Sequence, residues 1–123
     1  MDSTRIMVRC KKKMEWKSRE LLYNLYMADT VKEVNMAFRK CNENKVKEKK
    51  IKPFDIEKVY EKVDTEVNGA WQREVVRKVF NNMFNEFFVK KVGEENHINQ
   101  PKEWHKNFKI ATNYLNKRSL LNL

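Results

Sequence analysis

Four side chains in the sequence are of the types that bind zinc: Cys10, Cys41, His97 and His105. Recognisable zinc sites bring their ligands in short sequence pairs, because two donors a few residues apart are already half of a tetrahedron. These four lack such pairs. They read as two buried thiols and two loop or surface imidazoles, so neither a metal nor another cofactor is expected. Acidic pairs one helical turn apart, such as Glu57 and Glu61, could do acid–base work, but solvated helix faces produce them routinely. The sequence contains no Gly-rich phosphate loop, Cys-x-x-Cys pair or nucleophile elbow. The expectation is a protein that is not an enzyme.

Basic residues carry the stronger chemical signal. Lys11, Lys12, Lys13, Lys17 and Arg19 cluster near the N-terminus, and Lys45, Lys47, Lys49, Lys50 and Lys52 follow in a connector. Lys102, Lys106, Lys109, Lys117 and Arg118 lie near the end. Lysine meets phosphate as a point charge and does not read base edges, so this set predicts backbone contact with little sequence preference. The aromatics Trp71, Phe80, Phe84, Phe87 and Phe88 could stack on bases, but their helical spacing in the most apolar segment marks them as core.

The elements that position these groups are helices. Of 123 residues only two are Gly and two are Pro, too few for the frequent turns of a sandwich or barrel. Met14, Leu21, Leu22, Leu25 and Tyr26 share helical spacing, as do Val31, Val34, Phe38 and Cys41. Thr30 and Glu33 have the spacing of a capping box and predict a break near Asp29, with one kinked helix as the alternative. Asn42 to Lys52 has no apolar period and reads as the connector. Asp55 predicts an N-cap for a helix striped by Ile56, Val59, Tyr60, Val63 and Val67, interrupted at Asn68-Gly69.

From Ala70 to Val92, apolar residues recur at three and four and sweep roughly 200° of a helix, with Gly93 as the expected stop. So wide a stripe needs cover on more than one side, which predicts a homodimer, with a central place in the bundle as the alternative. Pro101 is expected at the first position of a last helix, with Trp104, Phe108, Ala111 and Leu115 inward and Ile110 and Tyr114 alongside. Lys102, Lys106, Lys109, Asn113 and Lys117 fall on its outer face. The terminal leucines are expected to dock. The sequence thus predicts an all-α fold, a compact bundle of four to five helices with a long hydrophobic central helix near 70–92. One domain would span 1–123, with a basic arm over about 1–13 and the connector over about 42–52.

Net charge is +10, from 27 Lys and Arg against 17 Asp and Glu. The excess lies at both ends and in the connector, whereas Pro53 to Gln100 carries seven basic and nine acidic residues. No run approaches the 18–20 apolar residues of a membrane span, and no apolar leader opens the chain. An intracellular protein, cytoplasmic or nuclear, is expected. The partner predicted is nucleic acid, an RNA or DNA duplex gripped by its phosphates. The rival is a helical protein-interaction subunit, such as a viral accessory or host-factor-binding protein. A role at acidic lipid surfaces is a third reading.

Overall fold

The computed structural model describes residues 15–67, 69–97 and 99–121. The basic arm, including Lys11, Lys12 and Lys13, and Cys10 lie outside the described residues. Within them the fold is all-α, with four principal helices and no strand. α1 is Trp16–Asn42, α2 is Ile56–Glu66, α3 is Arg73–Asn85 and α4 is Lys102–Lys117. A 3₁₀ turn, Lys47–Lys49, lies in the connector.

α1 runs through Asp29 without a break, so the capping box at Thr30 opens no new helix. An N-cap contributes about 1 kcal/mol. Burial of a single large apolar side chain contributes roughly 1.5–3 kcal/mol, and α1 has one continuous inner face to bury. That face is Arg19, Tyr23, Met27, Thr30, Val34, Ala37, Phe38 and Cys41, stepping by three and four. Neither Gly nor Pro occurs between Trp16 and Asn42 to interrupt it. Leu21 and Leu25, expected inside, instead lie on the outer side, 62% and 70% exposed.

α2 begins where expected. The Asp55 carboxylate accepts from the Glu57 backbone N–H at 3.1 Å, and Val59, Tyr60 and Val63 are buried. Gly69 has φ +133°, a conformation costly for any residue with a Cβ, and it turns the chain. α3 begins at Arg73 and not at Ala70, which leaves Trp71 before the helix. From Glu86 to Val92 the helix widens into π-type turns and then continues as Gly93–Glu95. Gly93 is therefore no stop: it is helical, and a Cβ there would meet the Phe108 ring at 3.2 Å. Its role is close approach of backbone to ring.

Val76, Val79, Phe80, Phe84, Phe88 and Val92 are buried, while Val75, Met83 and Phe87 are half-buried. The positions of the expected stripe are thus all covered at least in part within one copy of the chain.

The described residues form two compact units. One comprises the described residues up to Ala28 with Asp55–Phe80. Here the Tyr60 ring is met edge-on by Trp16 and Tyr23, each at 5.3 Å, and the Trp71 ring lies tilted to it at 5.5 Å. Arg19 forms a close ion pair with Asp64, which also accepts from the Trp71 indole N–H at 2.9 Å. The other unit comprises Asp29–Phe54 and the described residues from Asn81 onward. Its centre is a stacked aromatic series: Phe84 on Phe88 at 5.4 Å, Phe88 on Phe108 at 5.1 Å, and Phe108 on Trp104 at 5.1 Å. Leu120 and Leu121 are buried, so that part of the tail docks as expected.

Candidate nucleic-acid interface

Basic charge is divided unequally between the two units. Among the described residues the first unit has 7 basic and 8 acidic side chains, and the second has 15 and 8. The second unit is +7 and the first −1. Two elements of the second unit present the excess.

The connector leaves α1 at Asn42, whose side chain closes it. Its amide oxygen accepts from the Ile51 N–H at 2.9 Å and its amide nitrogen donates to the Ile51 carbonyl at 3.3 Å. Backbone bonds from Lys49 to Val46 (2.9 Å) and from Lys50 to Lys47 (3.4 Å) shape the enclosed turn. The side chain of Asn107 on α4 donates to that of Asn44 at 2.8 Å, so the connector is fastened to α4. Lys47, Lys49, Lys50 and Lys52 are left exposed.

α4 is preceded by Pro101 at its N-cap, one position earlier than expected. It buries Trp104, Asn107, Ala111 and Leu115. The opposite face carries Lys102, Lys106, Lys109, Asn113 and Lys117, all exposed, at steps of four and three. Fifteen residues at 1.5 Å each give that lysine face a length of about 23 Å. Arg118 is also exposed; it pairs with Glu33 at 3.2 Å and lies 5.5 Å over the Tyr114 ring.

Two of the basic residues expected at an interface are structural. Arg19 is 3% exposed and is held by Asp64. Lys45 is 8% exposed, donates to the Asn96 side-chain oxygen at 2.6 Å and sits 5.3 Å over the Trp104 ring. Burial lowers the Lys45 pKa, with the Cys41 thiol acting in the opposite direction. Both residues extend the inner face of α1: Arg19 precedes Tyr23 by four and Lys45 follows Cys41 by four. Continuing the helical spacing past the apolar positions would have found them. Lys17 is exposed and belongs to the first unit.

Cys41 is buried, and burial pushes its pKa up to about 12, where a neutral thiol and not a metal-binding thiolate prevails. His97 and His105 do meet, ring centres 5.0 Å apart. Among the described residues no group of three or more potential ligands could hold a metal ion. None of their helices is long and apolar enough to cross a membrane.

One feature was not expected from the sequence. A groove of about 280 Å³ runs between α1 and α4 within the second unit, lined by Met36, Ala37, Ile110, Ala111 and Tyr114. Met36 and Ile110 form its lips, 41% and 43% exposed. Neither a protein-family model, a curated protein nor a solved structure matches the chain.

Proposed function

We propose that the protein binds nucleic acid through its phosphates, with little sequence preference and without catalysis, using the exposed lysines of the connector and α4. The observation that carries this reading is the charge division. The whole positive excess of the described residues falls in one unit, and of that unit's described basic side chains only Lys45 is buried. Lys47, Lys49, Lys50 and Lys52 contribute from the connector, and Lys102, Lys106, Lys109 and Lys117 from α4. A nucleic-acid strand carries a regular row of phosphates, and a row of ammonium groups that displaces its counterions gains affinity from their release. The cytoplasm or nucleus is where such a role is exercised.

The test is binding of unrelated DNA and RNA oligonucleotides by fluorescence anisotropy across a salt series. Four to six phosphate contacts give a slope of log K against log salt of about −4 to −5 on a duplex and about −3 to −4 on a single strand, similar for all sequences. A flat slope, or binding of one sequence alone, contradicts the proposal.

A protein partner is the second reading, supported by the exposure of Leu21 and Leu25 on α1. A second copy of the chain or a host factor would cover those leucines. Leu25→Asp would then abolish association in sedimentation equilibrium and leave oligonucleotide affinity unchanged.

A further inference from the structure

The groove beside the α4 lysines narrows the class of nucleic acid. We infer that it accepts one unstacked nucleobase of a single-stranded segment while the neighbouring lysines hold the flanking phosphates. This rests on the phosphate-binding reading above and adds to it a choice between strand types.

Size and lining limit what the groove can hold. A volume of about 280 Å³ lies just under the 300–1,000 Å³ of pockets for drug-sized ligands, which suits a single flat ring system. Ala37 and Ala111 leave the floor open, and Met36, Ile110 and the Tyr114 ring supply apolar walls. Base–aromatic stacking tolerates any base, since each has a π-face, and it therefore fits sequence-tolerant binding.

Charge then selects the occupant. On α4, Ile110 lies about 40° around the helix from Lys106 and about 20° from Lys117, so its groove lip adjoins the lysine row. On α1, Arg39 and Lys40 border the same groove. Its one acidic border residue, Glu43, is paired with Lys40 at 3.7 Å, and nearby Glu33 with Arg118 at 3.2 Å. An apolar slot set between cations on both lips complements a flat apolar ring whose two neighbours are phosphates. In a duplex the bases are stacked and paired and cannot enter it.

Three fluorescent probes at ~0.15 M salt test this: oligothymidylate, an abasic phosphodiester strand of equal length, and a blunt-ended duplex. The oligothymidylate is expected to bind roughly 5- to 100-fold tighter than the abasic strand, the usual effect of stacking one base on an aromatic side chain. Tyr114→Leu should bring that ratio towards one with abasic affinity unchanged. Should that variant lose its helical circular dichroism, Met36→Gln at the exposed lip serves the same purpose. Equal affinity for oligothymidylate and abasic strands overturns the groove inference and leaves phosphate binding standing. Loss of binding to all three probes overturns both. Displacement of oligothymidylate by an acidic Tyr-containing peptide, at concentrations where an abasic strand of equal charge fails, would assign the groove to a protein partner and overturn it too.

Discussion

The Lys45 ammonium lies 2.6 Å from the side-chain oxygen of Asn96, and Asn96 in turn donates to the Val92 carbonyl at 3.0 Å. A lysine in the middle of a basic connector is thus an anchor, and the lysines after it are carried by its attachment. Lys45→Ala is expected to cost about 1–3 kcal/mol, the usual penalty for stranding a buried hydrogen-bond partner. Lys47→Ala should change stability by less than about 0.5 kcal/mol, as exposed substitutions do. Urea unfolding of the two variants makes the comparison.

Asp64 links two partners in the first unit, the guanidinium of Arg19 and the indole N–H of Trp71. Both members of the ion pair are nearly inaccessible to water. Removing one charge leaves the other buried and unpaired, which costs about 3–5 kcal/mol. Asp64→Ala and Arg19→Ala should each unfold at lower urea. The double variant should be less unstable than the sum of the two, and additive losses would show that the pair is uncoupled.

Alkali is expected to destabilise the fold through Cys41. Its thiol titrates near 9.0 when unfolded and is pushed up to about 12 by burial. Between those values the unfolded chain has released the proton and the folded one has not, so stability falls as pH rises. The loss is on the order of 1.4 kcal/mol per pH unit inside that window. Tyr23, raised by burial and by Tyr60, acts in the same direction above its ordinary 10.0. Lys45, lowered, acts in the opposite direction: its contribution is present above 10.5 and lost as pH falls through its folded value. Cys41→Ala should flatten the decline in unfolding free energy between pH 9 and 11. An unchanged slope contradicts the assignment.

Phe84 is fully buried and meets the rings of Phe38, Phe54 and Phe88 at 6.0, 5.5 and 5.4 Å. Phe84→Ala should cost roughly 3–5 kcal/mol, the range for emptying a large aromatic site. Unchanged thermal stability would mean that the ring is not enclosed.

The legible parts of this fold are those in which local chemistry and burial agree. Asp55 both caps α2 and precedes its apolar stripe, and the outer lysines of α4 alternate cleanly with Trp104, Ala111 and Leu115. α1 misleads because the two signals conflict. Leucines are the most apolar residues of its first half, yet Tyr23, Met27 and Thr30 form the inner face, and Leu21 and Leu25 point away. The same phase error placed Arg19 on the surface, and Lys45 was placed there because the apolar period ends before it. The groove was illegible because its walls come from residues more than seventy positions apart. Gly93 read as a helix stop because closeness to Phe108 leaves no local trace.

The second unit's lysines, and not net charge in general, are predicted to hold phosphate. Two charge-matched variants test this by oligonucleotide anisotropy across a salt series. One replaces Lys47, Lys49, Lys102 and Lys106 by Gln; the other replaces Lys58, Arg73, Arg77 and Lys78 of the first unit by Gln. All eight side chains are exposed, so both variants should fold. The first is predicted to flatten the slope of log K against log salt by up to about 3.6 on a duplex and about 2.8 on a single strand, since each phosphate contact contributes about 0.9 or about 0.7. The second is predicted to leave the slope at the wild-type value. Equal losses in both variants would contradict the account.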